Sequence, residues 1–158
     1  MTKTILVPID FSVASLNTLK IALEPYSEEP IEVILMYSEY LDDSITELLF
    51  HTSNKTVSNL ITPDFKDALE IIINRFDGKI KCLHIETFHG HNQNALRTFL
   101  EANHVDEIYI PSNYQLKTPK KTFSPIPLIR KSNYHIIEVN IETDFELTIQ
   151  EQIFSLFN

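Results

Sequence analysis

The chain has 158 residues, of which 43% are hydrophobic, which is enough for one globular domain and too few for two ordinary ones. Thirteen Lys and Arg against 22 Asp and Glu give a net charge of −9, which argues against a broad nucleic-acid-binding or membrane-binding surface. The single cysteine, Cys82, excludes an intrachain disulfide, and no apolar run approaches the roughly 20 residues that span a bilayer. The N-terminus lacks a signal-peptide layout, so we expect a cytoplasmic protein.

The first half of the chain alternates between apolar runs and helical patterns. Residues 5–9 predict a buried strand, and Ser12 is the expected cap of a helix that carries Leu16, Leu19 and Leu23. Residues 31–37 predict a second strand. The stretch from about 39 to 63 fits no clear element. A helix is expected to begin at Asp64 and to close at Asp77 and Gly78, with an apolar stripe of Phe65, Leu69, Ile72, Ile73 and Phe76.

The second half continues the alternation. Strands are predicted over 80–88, 108–110 and 134–141, and a helix over 92–103. Ser124 is the expected cap of a further helix that begins at Pro125. Residues 142–158 predict an amphipathic helical extension to the domain over 1–141, with a stripe of Phe145, Ile149, Ile153 and Leu156. These units predict a doubly wound α/β fold with a five-stranded parallel sheet, helices on both faces and an extra C-terminal helix.

One segment reverses the acidic charge of the chain. Residues 111–131 contain no acidic residue and five cations, namely Lys117, Lys120, Lys121, Arg130 and Lys131. This basic loop can recruit a phosphate, a small anion or an acidic partner, or it can be a solvated loop without a ligand. It lacks the aromatic stacking pattern of a nucleic-acid site, so we expect no nucleic-acid partner.

Metal and catalytic chemistry have little support in the sequence. Cys82, His84, His89 and His91 place four potential metal ligands within ten residues, but zinc sites usually draw on more separated pairs. No nucleophile–base motif is visible. We therefore expect no metal and no enzymatic activity, and a metal-dependent enzyme built on the histidine cluster is the weakest alternative.

Residues 5–15, ILVPIDFSVAS, closely resemble the opening of the universal stress proteins, in which a strand ends in a Pro-x-Asp-Phe-Ser turn. Gly90, residues 105–110 and residues 129–139 are similar to later parts of that family, so the resemblance spans roughly residues 3–141. The resemblance implies the strand order 3-2-1-4-5, a dimer paired through the fifth strand and, in many members, an ATP site.

The implied ATP site lies where the strand order reverses, between the first and fourth strands. Members that bind ATP follow the fourth strand with Gly-x-x-Gly, nine residues, then Gly and Ser or Thr. Those four positions are here Pro111, Tyr114, Ser124 and Pro125. A tyrosine hinders the approach of a pyrophosphate to the backbone, and proline supplies no N–H at a helix start. The sequence therefore predicts a degenerate site that does not bind ATP in the usual way.

A remodelled pocket for a nucleotide or another anion, with ATP or AMP among the candidates, is the main alternative. Its candidate residues are Asp10, Ser38, Ile110, Pro111, Lys120, Ser124 and Ile126. The resemblance implies that Asp10 bonds adenine or ribose, whereas the simpler interpretation is that it holds the strand-to-helix turn.

The fifth strand carries the expected dimer interface, formed by Ile136, Ile137, Val139 and Ile141. The stripe of the C-terminal extension either covers the chain's own core or packs across that dimer. Together these observations favour a non-catalytic, homodimeric stress-response or regulatory module with an unidentified protein partner.

Overall fold

Strands and helices alternate along the chain in the computed structural model, which describes residues 2–25, 29–40, 61–90, 92–119 and 121–141. Over these ranges the strands are β1 (Thr4–Pro8), β2 (Ile31–Ser38), β3 (Ile80–Phe88), β4 (Glu107–Pro111) and β5 (His135–Val139). The helices are α1 (Leu16–Leu23), α2 (Pro63–Arg75), α3 (Gln93–Ala102) and α4 (Ile126–Arg130). The predicted helix over 142–158 and most of the stretch 39–63 lie outside the described residues.

The five strands form one parallel sheet in the order β3-β2-β1-β4-β5, as predicted. The central strand β1 is buried along its whole length, which explains why its sequence is a continuous apolar run rather than an alternating one. Ile5 sits between Val33 of β2 and Glu107 of β4 in the register of the sheet.

Helices cover both faces of this sheet. Successive side chains of β1 point to opposite faces, so β1 contributes to a core on each side. Ile5 and Val7 belong to the core under α1 and α2, together with Leu16, Leu19, Phe65 and Ile72. Leu6 belongs to the second core, under α3 and α4, together with Ile34, Leu96, Leu100 and Ile129. Within the described residues, no helix is long and apolar enough to cross a membrane.

Side chains cap two helices at their starts. The hydroxyl of Thr62 accepts a hydrogen bond from the Phe65 N–H at 3.2 Å, so α2 begins at Pro63 rather than at the predicted Asp64. The side chain of Asn92 accepts from the Ala95 N–H at 2.8 Å and starts α3. On α2, Ile73 is 37% exposed instead of facing the core, because it lies about 100° around the helix from Ile72, which faces inward with Phe65 and Ala68.

Two other predicted helix starts were wrong. Ser12 does not cap α1, which begins at Leu16; its hydroxyl accepts from the Ser15 N–H at 3.2 Å inside the preceding tight turn. The cap position of α4 is occupied by Pro125, and the Ser124 hydroxyl only receives a long bond of 3.4 Å from the Ile126 N–H.

The fifth strand is shorter than predicted and ends at Val139. Beyond it, the side chain of Asn113 takes over the pairing that a strand neighbour would provide. Its amide oxygen accepts from the Ile141 N–H at 2.7 Å, and its amide nitrogen donates to the Ile141 carbonyl. Ile141 is thus held after the strand instead of forming part of it.

Gly90 is required by close packing between the end of β3 and the start of α3. A Cβ atom at this position would come within 2.8 Å of the Phe88 ring and would also meet the Ala95 side chain. Gly90→Ala is therefore expected to lower the free energy of unfolding by about 1–3 kcal/mol, as overpacking does in other cores. Urea unfolding followed by circular dichroism measures this loss.

Gly78 offers the matched control, because its φ of +88° is left-handed but nothing lies within 4 Å of its missing side chain. Asparagine tolerates that conformation, so Gly78→Asn should change stability much less than Gly90→Ala. Equal losses for the two variants would contradict the packing explanation.

Candidate functional site

The candidate site lies at the carboxyl ends of β1 and β4. The chain leaves β1 toward one side of the sheet and β4 toward the other, so a crevice forms where the strand order reverses. Asp10 follows β1, and Pro111 ends β4.

A constrained turn places Asp10. Phe11 adopts a φ of 62°, a left-handed conformation that bulky residues rarely take. Its buried ring packs against Tyr37 and Phe65, with ring centroids 4.6 and 5.2 Å away. These contacts hold the turn, and the turn directs the backbone N–H and the hydroxyl of Ser12 to Asp10 Oδ1 at 2.9 and 2.5 Å.

The second carboxylate oxygen of Asp10 is bonded by the segment that follows β4. The Tyr114 hydroxyl donates to Asp10 Oδ2 at 2.6 Å, and the Lys117 backbone N–H donates to the same atom at 2.7 Å. Each carboxylate oxygen thus accepts two hydrogen bonds, which uses the whole acceptor capacity of the group. Both oxygens of this carboxylate are thus bonded by the chain itself.

Tyr114 is well suited to this donor role. Burial, followed by the hydrogen bond to Asp10, holds the pKa of its phenol above the ordinary value. The hydroxyl therefore keeps its proton throughout the physiological range. It also lies 2.9 Å from the Ser12 hydroxyl, and both hydroxyls direct their protons to the Asp10 carboxylate.

The segment over residues 112–119 and 121–123, here called the strap, crosses the carboxyl end of the sheet. At one end, the Ser112 N–H donates to the Val139 carbonyl of β5 at 2.8 Å. At the other end, the Phe123 N–H donates to the Ser38 carbonyl of β2 at 3.3 Å, beside an antiparallel bridge between Glu39 and Thr122. Since β1 lies between β4 and β2, the strap covers the end of β1.

Aromatic packing anchors the far end of the strap. The Phe123 ring lies 4.7 Å from the Tyr40 ring and 6.2 Å from the Phe88 ring, measured between centroids. Aromatic pairs of this kind contribute about 0.5–1.5 kcal/mol each beyond the area they bury. The strap is therefore fixed at both ends and at Asp10 in its middle.

The residues predicted for a remodelled pocket do not all meet. Pro111, Ser124 and Ile126 line one cleft of about 420 Å³, together with Tyr114 and Arg130. Ser38 and Ile110 are buried, at 3% and 0% exposure, and do not line it. Lys120 lies outside the described residues.

The start of α4 offers little to a phosphate. Pro125 and Pro127 have no N–H, and the N–H of Ile126 between them points to the Ser124 hydroxyl. The Arg130 guanidinium, which borders the cleft, pairs with Glu138 at 2.8 Å. The fixed cradle of N–H groups that binds phosphates at longer helices is replaced here by two prolines.

The histidine cluster is spread out. His84 is exposed on the edge strand β3, the His89 ring contacts the Glu39 carbonyl at 3.0 Å, and Cys82 is half-buried. His91 lies outside the described residues. Among the side chains that the structure describes, no three His, Cys, Asp or Glu are grouped as metal ligands.

Comparison with solved structures identifies the fold. Universal stress protein UspA from Lactobacillus plantarum superposes with a TM-score of 0.54 at 12% identity, covering 87% of this chain and 97% of that one. A universal stress protein family member from Burkholderia pseudomallei gives a TM-score of 0.51 at 12% identity, covering 87% and 95%. The chain has the universal stress protein fold.

The hypothetical protein MJ0577 shares this fold, with a TM-score of 0.52 at 21% identity over 91% of this chain and 99% of that one. No protein-family model and no curated protein matches the sequence. The likeness to the universal stress protein fold is thus one of overall structure.

The bond between Tyr114 and Asp10 was not predicted from the sequence, although Tyr114 was singled out as an obstacle to a pyrophosphate. Removing the hydroxyl with Tyr114→Phe leaves part of the half-buried Asp10 carboxylate unsatisfied. We expect a loss of about 1.5–3 kcal/mol in the free energy of unfolding, the range for hydrogen bonds to charged groups. Tyr40→Phe is the control, because Tyr40 is 51% exposed.

Burial of Tyr114 and its bond to Asp10 raise the pKa of the phenol, so they also make the free energy of unfolding depend on pH. A raised pKa means that the folded state keeps the phenol proton after the unfolded state loses it, so stability falls as pH rises above about 10. Tyr114→Phe should lose less stability than the wild type between about pH 8 and pH 10.5. Tyr37, whose pKa burial raises to about 12, contributes equally to both proteins. Parallel pH profiles would contradict the assignment.

Proposed function

We propose that this chain is a non-catalytic universal-stress-protein-type regulatory module that does not bind ATP in the usual way. The observation that carries the proposal is the saturated carboxylate of Asp10, which accepts bonds from Ser12, Tyr114 and Lys117. The module would act in the cytoplasm through contacts with another protein.

Energetics support the proposal. A nucleoside that bonds Asp10 must first displace the Tyr114 hydroxyl and the Lys117 N–H. Hydrogen bonds to charged groups contribute about 1.5–3 kcal/mol each, so displacing both lowers affinity by at least about a hundredfold unless the ligand replaces them fully. The two prolines at the start of α4 also leave the phosphates without the free backbone N–H donors of a helix start.

The same saturation supports a non-catalytic role. A general base needs a free lone pair directed at a substrate proton, and both oxygens of Asp10 already face donors of the chain. Its hydrogen bonds join the β1 turn to the strap, which is a structural task. The carboxylate therefore holds the surface of the module in shape.

A homodimer through β5 is the second part of the proposal. β5 is an edge strand, paired with β4 on one side, and edge strands with apolar side chains tend to pair with another chain. Ile136 and Ile137 are half-buried and would supply the apolar contacts. Val139 and Ile141 are already buried at 8% and 4%, so they would contribute through their backbone more than their side chains.

The first test is calorimetric titration with ATP and Mg²⁺, repeated with AMP. We expect no saturable heat up to about 1 mM nucleotide, a concentration that corresponds to about 4.1 kcal/mol of binding. The matched gain-of-function variant combines Pro111→Gly, Tyr114→Gly, Ser124→Gly and Pro125→Ser, which introduces glycines and a hydroxyl within the strap and at the residues that flank it. It should bind ATP where the wild type does not.

Saturable binding to the wild-type chain below about 100 μM would contradict the proposal. If Arg130→Gln then abolished that binding, the remodelled cleft beside Pro111, Ser124 and Ile126 would be the site. This is the alternative function, an anion-binding or nucleotide-binding protein.

Dimerisation is tested by sedimentation velocity. The wild type should sediment as a dimer at micromolar concentration, and Ile137→Lys should sediment as a folded monomer, because a charge on the edge opposes pairing. Lys81→Glu, on the opposite edge strand β3, is the control and should stay dimeric. A monomeric wild type would overturn this part of the proposal.

A further inference from the structure

A second cleft lies at the other end of the sheet from Asp10. It has a volume of about 500 Å³ and is bounded by α3, by the turn from α4 into β5 and by the residues that lead into β4. Asp106 precedes β4 and His135 begins β5, so the cleft sits at the amino ends of these strands. We call it the α3–β5 cleft; it shares no lining residue with the cleft under the strap.

Charge distinguishes the α3–β5 cleft from its surroundings. Arg97 of α3 and Lys131, which follows α4, both line it, in a chain whose net charge is −9. The one acidic side chain on the lining is Asp106, and its Oδ2 already accepts the Thr4 N–H at 2.8 Å. His135 borders the cleft with its ring nitrogen 3.6 Å from Glu107, which is itself bonded to Lys3.

Hydrogen bonds within the walls hold the cleft open. The Gln93 side chain donates to the Leu128 carbonyl at 2.8 Å and ties α3 to α4, and the Ser132 hydroxyl donates to the Ile129 carbonyl at 2.6 Å. Asn94 accepts one N–H of Arg97 at 2.9 Å, which steadies the guanidinium and uses one of its five donors. These bonds connect α3 to α4 and hold the turn that follows α4.

The lining also has an apolar part. Leu100 and Val105 are buried at 0% and 8% exposure, and the half-buried Tyr134 ring lies beside them. A volume of about 500 Å³ falls in the range of small-molecule sites, roughly 300–1,000 Å³. Such a site accepts a small organic body next to the two cations.

We propose that the α3–β5 cleft binds a small phosphomonoester, with Arg97 and Lys131 on the phosphate and the carbon body against the half-buried Tyr134 ring. A phosphomonoester carries a charge between about −1.5 and −2 near pH 7, which two cations neutralise. Arginine bonds two phosphate oxygens at once, and lysine adds a point charge. A free phosphate would make no contact with the Tyr134 ring, so the carbon body adds affinity.

The test is calorimetric titration with ribose 5-phosphate, inorganic phosphate and ribose at low salt. Ribose 5-phosphate should bind with saturation and weaken as salt is added, phosphate should bind at least severalfold more weakly, and ribose should not bind. Arg97→Gln and Lys131→Gln should each weaken binding by about tenfold or more. Lys66→Gln removes an exposed cation of α2 instead and should leave binding unchanged.

Three results would overturn the inference. They are the lack of saturable binding of ribose 5-phosphate up to about 10 mM, binding that survives both the Arg97 and the Lys131 variants, and equal affinities for phosphate and ribose 5-phosphate. Tyr114→Phe separates this site from the strap, because it should not alter the binding. Amide shifts confined to residues 97–100 and 131–135 would locate the ligand in the cleft.

Discussion

The hydrogen bonds to the carboxylate of Asp10 are the constraint on which the structure at the carboxyl ends of the strands depends. Asp10 follows the central strand, so whatever bonds it is fixed relative to the whole sheet. Here the donors come from two places, the turn at Ser12 and the strap at Tyr114 and Lys117. Tyr114 thus adds a second anchor to this carboxylate and joins the strap to the end of the central strand.

The strap shows why a single side chain can have this effect. Its ends are held by backbone bonds to β5 and β2, which any sequence can form, whereas its middle is held by Tyr114. Glycine at that position would leave Asp10 one donor short, because the Lys117 N–H would still bond Oδ2. The fastening at the middle of the strap therefore does not require a different fold, and the sheet order stays that of the universal stress protein fold.

Local patterns predicted most of the fold, because the spacing of apolar residues shows which strands and helix faces are buried. β3 has the predicted bounds, and the order of all five strands followed from the resemblance carried by residues 5–15. Features that depend on distant partners were missed. The end of β5 is set by Asn113, and the role of Tyr114 is set by a carboxylate 104 positions earlier in the chain. Neither pairing leaves a periodic signal.

The charged side chains at the two ends of the sheet differ in the partners that they bond. At the carboxyl ends, the carboxylate of Asp10 is bonded on both oxygens and the Arg130 guanidinium is paired with Glu138. At the amino ends, one oxygen of the Asp106 carboxylate accepts the Thr4 N–H, and the two cations Arg97 and Lys131 outnumber that carboxylate on the lining of the α3–β5 cleft. The length of the strands separates the two ends, and none of the residues that bond Asp10 lines the α3–β5 cleft. The strap and the α3–β5 cleft are therefore two separate features of one sheet.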